Sequence, residues 1–455
     1  MSMYRVAVTA GLLVLSVGAG PTTASGSSWS APVDVSSPST FVDSPFIGFG
    51  GSGQGLAAWH WQDGIGAGAR GGVRIATVAT TGKLASEQAG PPALTQPVVY
   101  GRDKVVLVDE ATIVRRKRAS PLARLRITFG RTEGSFGPPR TIDRVDLFRL
   151  PALAASNDGR VAVAYIERAR DRRRVVKLAV GRGERIGRPR VVGRHHNFYT
   201  TTVAVGPRGD LVVAWARGRL IEARILRPGH PLGPVVHVGR SVGDGIQLRA
   251  AVAGSGRAWV AWNSQKVGEV PGPSTFRSSV SSASRSKFGR ASLLDRFDRR
   301  YPTDVPTFDF SLDANDNGVV AWSTYDGQNY RMRLGFADRG GRFTRFATLS
   351  QAGYDAFNGD LATGKNPGEV LVAWNRLDAV GEVGTVVLAG YLSQTGVYAG
   401  EEQVSRGDRA RVPAVAFSTG TDIPTVVWSQ REGPDGPGVP LEQVRAFLRA
   451  STRTP

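Results

Sequence analysis

The stretch Gly209-Asp-Leu-Val-Val-Ala-Trp215 carries the fold, because its pattern returns along the chain. A glycine, a short aliphatic run, then alanine and an aromatic residue recur as Gly159-Arg-Val-Ala-Val-Ala-Tyr165, Gly256-Arg-Ala-Trp-Val-Ala-Trp262 and Gly368-Glu-Val-Leu-Val-Ala-Trp374. Looser copies end at Trp59, Trp322 and Trp428, and a degenerate one lies near Val108. Successive copies are 47 to 60 residues apart. A period of that length marks a repeat architecture.

Each copy reads as a β-hairpin. An apolar run such as Ala152-Leu-Ala-Ala155 precedes the turn Ser156-Asn-Asp-Gly159, and the Val/Ala/Trp strand follows, as turn chemistry and β-branched enrichment predict. A third strand shows in Val175-Val-Lys-Leu-Ala-Val180. A fourth carries its own motif, seen in Phe136-Gly-Pro-Pro-Arg-Thr-Ile142, Leu232-Gly-Pro-Val-Val-His-Val238 and Phe288-Gly-Arg-Ala-Ser-Leu-Leu294. Four strands in roughly 50 residues, repeated, predict an all-β chain folded as a single β-propeller of about eight four-stranded blades. Seven is the competing count, because the Val108 copy is degenerate.

The ends fit a closed ring. Trp29-Ser-Ala-Pro-Val-Asp-Val35 copies the fourth-strand motif ahead of the first full repeat. After Trp428 the chain has room for one more strand, about Val444 to Ala450. The last blade therefore lacks an outer strand, and the N-terminal segment is expected to supply it and remove an open sheet edge.

Met1 to Arg5 carries one positive charge, an apolar run follows over Val6 to Val17, and Gly18 to Ser28 is small and turn-forming. This is the layout of a secretory signal peptide. The run is shorter than the roughly 20 residues of a membrane-spanning helix. We read residues 1–26 as the signal and 27–455 as the propeller, a secreted and monomeric protein without a transmembrane anchor.

The 455 residues include 58 Lys and Arg against 38 Asp and Glu, a net charge of +20, with no cysteine. A disulfide framework, a thiolate metal site and a cysteine nucleophile are thereby excluded. Outside the cell the partners of so basic a chain are an extracellular glycan, a cell-wall polymer or a protein, and no nucleic acid is expected.

The Gly-x-h-x-h-Ala-Trp hairpins resemble those of secreted bacterial propeller repeats of the broad sialidase-like and WD-like type. That resemblance covers nearly the whole chain after the signal and implies the fold. The sialidase Asp box, Ser-x-Asp-x-Gly-x-x-Trp, has its nearest match in Asp316-Asn-Gly-Val-Val-Ala-Trp322, one residue too long and in the first hairpin of its blade.

In such blades the loops joining strands two and three, and those leading into the next blade, share one face, here termed the upper face. Ligand sites are expected there, around the central channel. Arg115-Arg-Lys-Arg118, Arg168, Arg170, Arg172-Arg-Arg174, Arg144, Arg149 and Arg194 make one sector basic, while Asp298, Asp304, Asp355 and Asp408 fall in later blades. The basic sector reads either as a docking patch for a polyanion or as solvated loop tips of arginine-biased composition. His195 and Tyr199 enter blade four on this face; Tyr301 and Asp304 enter blade six, and Tyr354, Asp355 and Asn358 enter blade seven. Aromatic and carboxylate groups together suit a sugar-binding or hydrolytic site. On the opposite, lower face, Asp313, Asn315 and Asn317 alternate before Gly318 like the opening of a calcium loop. A tight Asn-Gly turn explains the same string, so Ca2+ is not the favoured cofactor and no other cofactor is expected.

The leading expectation is an exported, non-catalytic propeller that binds an extracellular or envelope ligand, polyanionic or glycan, through its upper face. The alternative is a glycoside hydrolase or lyase using carboxylates and arginines there, and the second alternative is a protein-docking scaffold. A deep pocket with two carboxylates beside an arginine separates the enzyme from a flat basic binding face.

Overall fold

The computed structural model describes residues 28–64, 70–113, 122–169, 173–266, 272–283, 287–298, 307–378, 386–392, 398–406, 409–433 and 445–453. Residues 1–26, read from the sequence as a signal, lie outside these. Eight antiparallel sheets follow one another along the chain, with no helix among the described residues.

Blade four shows the construction. Its strands are Phe198–Val205, Leu211–Arg217, Leu220–Leu226 and Val236–Arg240, paired in chain order. The second strand is buried on both faces from Leu211 to Ala216, because a neighbouring blade covers each side. It therefore reads as a continuous apolar run instead of an alternating one. The turn before it places Gly209 at φ +81°, a conformation that glycine adopts without steric cost. Trp59, Trp215, Trp262, Trp322, Trp374 and Trp428 all sit at equivalent places and are fully buried.

Val108 belongs to a complete blade, with strands Val98–Tyr100, Lys104–Ile113, Leu122–Arg131 and Arg140–Val145. The count is therefore eight. Closure follows the expected route: Val33–Asp34 pairs with Arg445–Thr452 in the last blade, in the register Val33↔Ala450 and Asp34↔Arg449.

The lower-face turns tie the blades together. Gly51 N donates to Gly101 O at 2.7 Å, and Gly101 N to Asn157 Oδ1 at 3.0 Å. Gly254 N donates to Asp316 Oδ1 at 2.7 Å, and Thr421 Oγ1 to Thr80 O at 2.7 Å across the closure. This collar commits the lower-face turns to holding neighbouring blades together.

Candidate functional site

Two features stand out, a basic sector of the upper rim and a charged ring position inside the channel. The rim comes from the strand ends of blades two to four. Arg168, Arg174 and His195 are directly opposite one another on the second, third and fourth strands of blade three. Side chains so paired share one face of the sheet. Arg174 stacks on the Phe148 ring at 3.6 Å, with Arg168 at 5.3 Å and Arg149 at 5.4 Å from the same ring. Arg174 also donates to Phe198 O at 2.7 Å. Burial pulls its guanidinium below the ordinary range, Tyr199 works the other way, and Arg168 and Arg149 add to the lowering. Among the described residues no carboxylate pairs with any of these three arginines. Nearby, Asp143 and Glu167 are both taken by Lys177, at 2.7 and 2.6 Å.

Exposed Arg144 and Arg194 flank this sector on the outer strands of blades two and three. His195 Nδ1 accepts from Asn197 N at 3.1 Å, and the ring packs on Phe198 with centroids 6.1 Å apart. Arg144, Arg149, Arg194, His195 and Tyr199 are thus brought to one part of the rim.

Tyr354, Asp355 and Asn358 lie half the ring away, in blade seven. Buried Asp355 accepts from Tyr330 N at 2.7 Å and from Asn329 Nδ2 at 3.4 Å. Asn358, at φ +53°, donates to Asn375 Oδ1 at 3.2 Å. Arg376 covers the Tyr354 ring at 4.6 Å. Asp355 thus ties blade seven to blade six, while Tyr354 and Asn358 contact residues of their own blade. Tyr301, Asp304, Asp408, Arg170, Arg172 and the run 115–118 lie outside the described residues.

On the lower face, Asp313 Oδ1 accepts from Asn315 N at 2.8 Å and Asn317 N at 2.9 Å. Its Oδ2 accepts from Asn317 Nδ2 at 3.0 Å and from Gly368 N of blade seven at 3.3 Å. This geometry is a self-bonded turn that also latches two blades. Among the described residues no group of three His, Cys, Asp or Glu is arranged to hold a metal.

The channel holds residues that the loop-centred reading missed. A cavity of about 750 Å³ is lined by the inner strands, including Phe46, Thr202, Arg249, Asp309 and Asp360. Strand register puts these side chains on one level. Phe46, Ala152, Thr202, Arg249, Asp309 and Asp360 each pair with the alanine that precedes the repeat aromatic of their blade. Blades five, six and seven therefore place Arg249, Asp309 and Asp360 side by side on an otherwise uncharged level. Arg249 Nε lies 3.2 Å from Asp309 Oδ1, and Asp360 Oδ2 accepts from Val415 N of blade eight at 2.8 Å. A signal was present: each of the six residues lies 13 or 14 positions before its repeat aromatic.

The Asp360 carboxyl is pushed up to about 8, first by burial and then by the Asp309 charge, with the Val415 and Leu361 amides and Arg249 pulling the other way. By area Asp360 is only partly buried, because it borders the open cavity; protein surrounds it on its other sides. The folded chain thus keeps a proton that an unfolded aspartate loses near pH 4. Stability is expected to fall as pH rises from about 4 to about 8, and then to level off. Asp360→Asn should remove that slope and be more stable than the parent at pH 9 by about 2 kcal/mol, allowing for screening by the open channel. Denaturant midpoints across pH check this. Identical pH slopes for both proteins would contradict it.

Chemically the trio combines a guanidinium donor, a carboxylate acceptor and a carboxylic acid that both donates and accepts. No known family pattern and no characterised protein sequence matches the chain. Solved structures with a similar fold include an ulvan lyase of a polysaccharide lyase family, 11% identical, with a TM-score of 0.45, covering 78% of this chain and 92% of that one. They also include a mutant of the NanB sialidase from Streptococcus pneumoniae, 9% identical, with a TM-score of 0.36, covering 91% of this chain and 68% of that one. A third is the β-propeller domain of the Trilobed protease from Pyrococcus furiosus, described as having an open velcro topology. It is 9% identical, with a TM-score of 0.44, covering 81% of this chain and 97% of that one. The chain is a β-propeller with sialidase-like and other propeller structural neighbours.

Proposed function

We propose that the protein is exported and binds an anionic extracellular polymer, an acidic glycan or cell-wall polymer, through the arginine sector of its upper rim. The observation that carries this reading is the cluster of Arg149, Arg168 and Arg174 around Phe148, without a carboxylate partner among the described residues. Like charges held directly opposite on neighbouring strands are unfavourable by themselves. A bound polyanion relieves that repulsion and gains charge-assisted hydrogen bonds.

Binding of the purified chain to immobilised sulfated and carboxylated polysaccharides tests the proposal. The variant Arg149→Gln/Arg168→Gln/Arg174→Gln is expected to bind roughly 10- to 100-fold more weakly at physiological salt, about 0.5–1 kcal/mol for each charge. Its melting temperature should change little, because relief of the repulsion offsets the lost stacking on Phe148 and the lost hydrogen bond to Phe198 O. Undiminished binding by the variant, or binding by the parent that vanishes at physiological salt, would sink the reading.

A second reading is favoured by a separate observation, the two channel carboxyls beside Arg249. Two carboxyls of unlike protonation are what glycoside hydrolysis uses. Polymer cleavage lost in Asp309→Asn would favour this reading over binding alone.

A further inference from the structure

We propose that the channel contains a binding site for a neutral polyhydroxylated molecule, a sugar unit by class, built on Arg249, Asp309 and Asp360. It is independent of the rim proposal, since it uses none of the rim arginines. The first ground is the level of charge. Of the residues that strand register aligns there, only these three are charged, and they come from consecutive blades. Their side chains border a cavity of about 750 Å³, within the range of roughly 300–1,000 Å³ usual for small-molecule sites.

The second ground is the polar character of the rest of the same cavity wall. Ser44, Gln96, Thr202 and Gln247 add further donors and acceptors to the lining.

The class of ligand follows from charge. Arg249 and Asp309 form an ion pair at 3.2 Å, and Asp360 carries its proton at neutral pH. The site then has no net charge, so a cation meets Arg249 and an anion meets Asp309. Vicinal hydroxyls suit it, because each donates one hydrogen bond and accepts another. One hydroxyl can bridge the guanidinium and the carboxylate while its neighbour meets the carboxylic acid. The groups facing Asp360 are Asp309 of blade six, Arg249 of blade five, and the Val415 and Leu361 amides. His60 of blade one borders the same cavity and bonds to Ala93 O at 3.2 Å.

The probes are the methyl α- and β-glycosides of glucose, galactose and mannose, with sodium sulfate and calcium chloride as comparisons. Each is titrated against the full chain by saturation-transfer NMR and thermal shift. At least one glycoside should bind, and neither salt should displace it. Asp309→Asn and, separately, Arg249→Gln should weaken that binding at least tenfold. Asp360→Asn keeps an acceptor for Val415 N but alters a binding group, so it is read for the pH dependence of its affinity alone. The parent should lose affinity above pH 8, and this variant should not. Binding of calcium or sulfate in place of every glycoside overturns the proposal. So does the absence of any glycoside binding, or binding that Asp309→Asn and Arg249→Gln leave intact in folded variants. The rim variant should leave glycoside binding unchanged, which keeps the two proposals separately testable.

Discussion

Trp262→Ala is expected to destabilise the protein by about 3 to 5 kcal/mol. The indole is completely buried in the middle of the second strand of blade five, Ala258–Gln265, in a core shared with Ala214, Ala223 and Val238 of blade four. Its Nε1 donates to Arg240 O at 3.3 Å, joining the two blades through a polar contact as well. The ring lies so close to Gly239 that a Cβ added there would sit 2.5 Å from it. Sheet backbone walls the site on both sides, so the cavity left by truncation has little to collapse into, and the upper half of the usual range applies. The converse substitution tests the same contact. Gly239→Ala overpacks the ring and should cost about 1 to 3 kcal/mol alone. It should cost clearly less in the Trp262→Ala background, because the two residues touch. Denaturant unfolding of the four proteins measures the coupling. Additive effects, or parent-like melting of Trp262→Ala, would contradict this placement of the indole.

That contact explains why the blades were legible in the sequence. In blade two, strand register puts Asp109, paired with Arg126, at the place of the repeat aromatic, and Val108 faces blade three in a core with Tyr100 and Tyr165. The turn glycines were equally legible, since Gly159, Gly209, Gly256 and Gly368 all have φ between +77° and +88°. The candidate site was less so. Asp355 and Asn358 look like ligand groups in a one-dimensional reading, yet their partners Tyr330 and Asn375 are set by pairing that spacing does not reveal. Arg249, Asp309 and Asp360 were overlooked for the opposite reason. Each sits inside a strand, between residues that read as core, such as Phe308 and Phe310 around Asp309. Only aligning the repeats on their aromatic residues, then comparing the position 13 or 14 residues upstream, separates these charges from the ordinary solvated ones.

The ring closure leads to the other large effect. Substituting Val33→Cys and Ala450→Cys together should yield a spontaneous disulfide under oxidising conditions. These residues are direct cross-strand partners, and antiparallel partners have the Cα separation of about 4.5–5.5 Å that a disulfide accepts. The chain has no other cysteine to compete. The bridge would close a loop of roughly four hundred residues, for which chain-entropy arguments give up to about 6 kcal/mol of stabilisation. The native clasp it reinforces is already specific. Ser30 N donates to Thr452 O at 2.8 Å and Val35 N to Leu448 O at 2.8 Å; Ser39 and Ala446 exchange two bonds at 3.0 and 2.7 Å. Asp34 pairs with Arg449 at 2.7 Å, and buried Val35 joins a core that continues into the first blade. Opening this clasp would free the outer edge of the last blade, where unpaired backbone groups invite pairing between molecules. The oxidised variant should therefore melt several degrees above its reduced form and resist aggregation on heating, whereas the reduced form should behave like the parent. Failure of the two cysteines to cross-link in the folded protein would show that the N-terminal strand does not close the ring in this register.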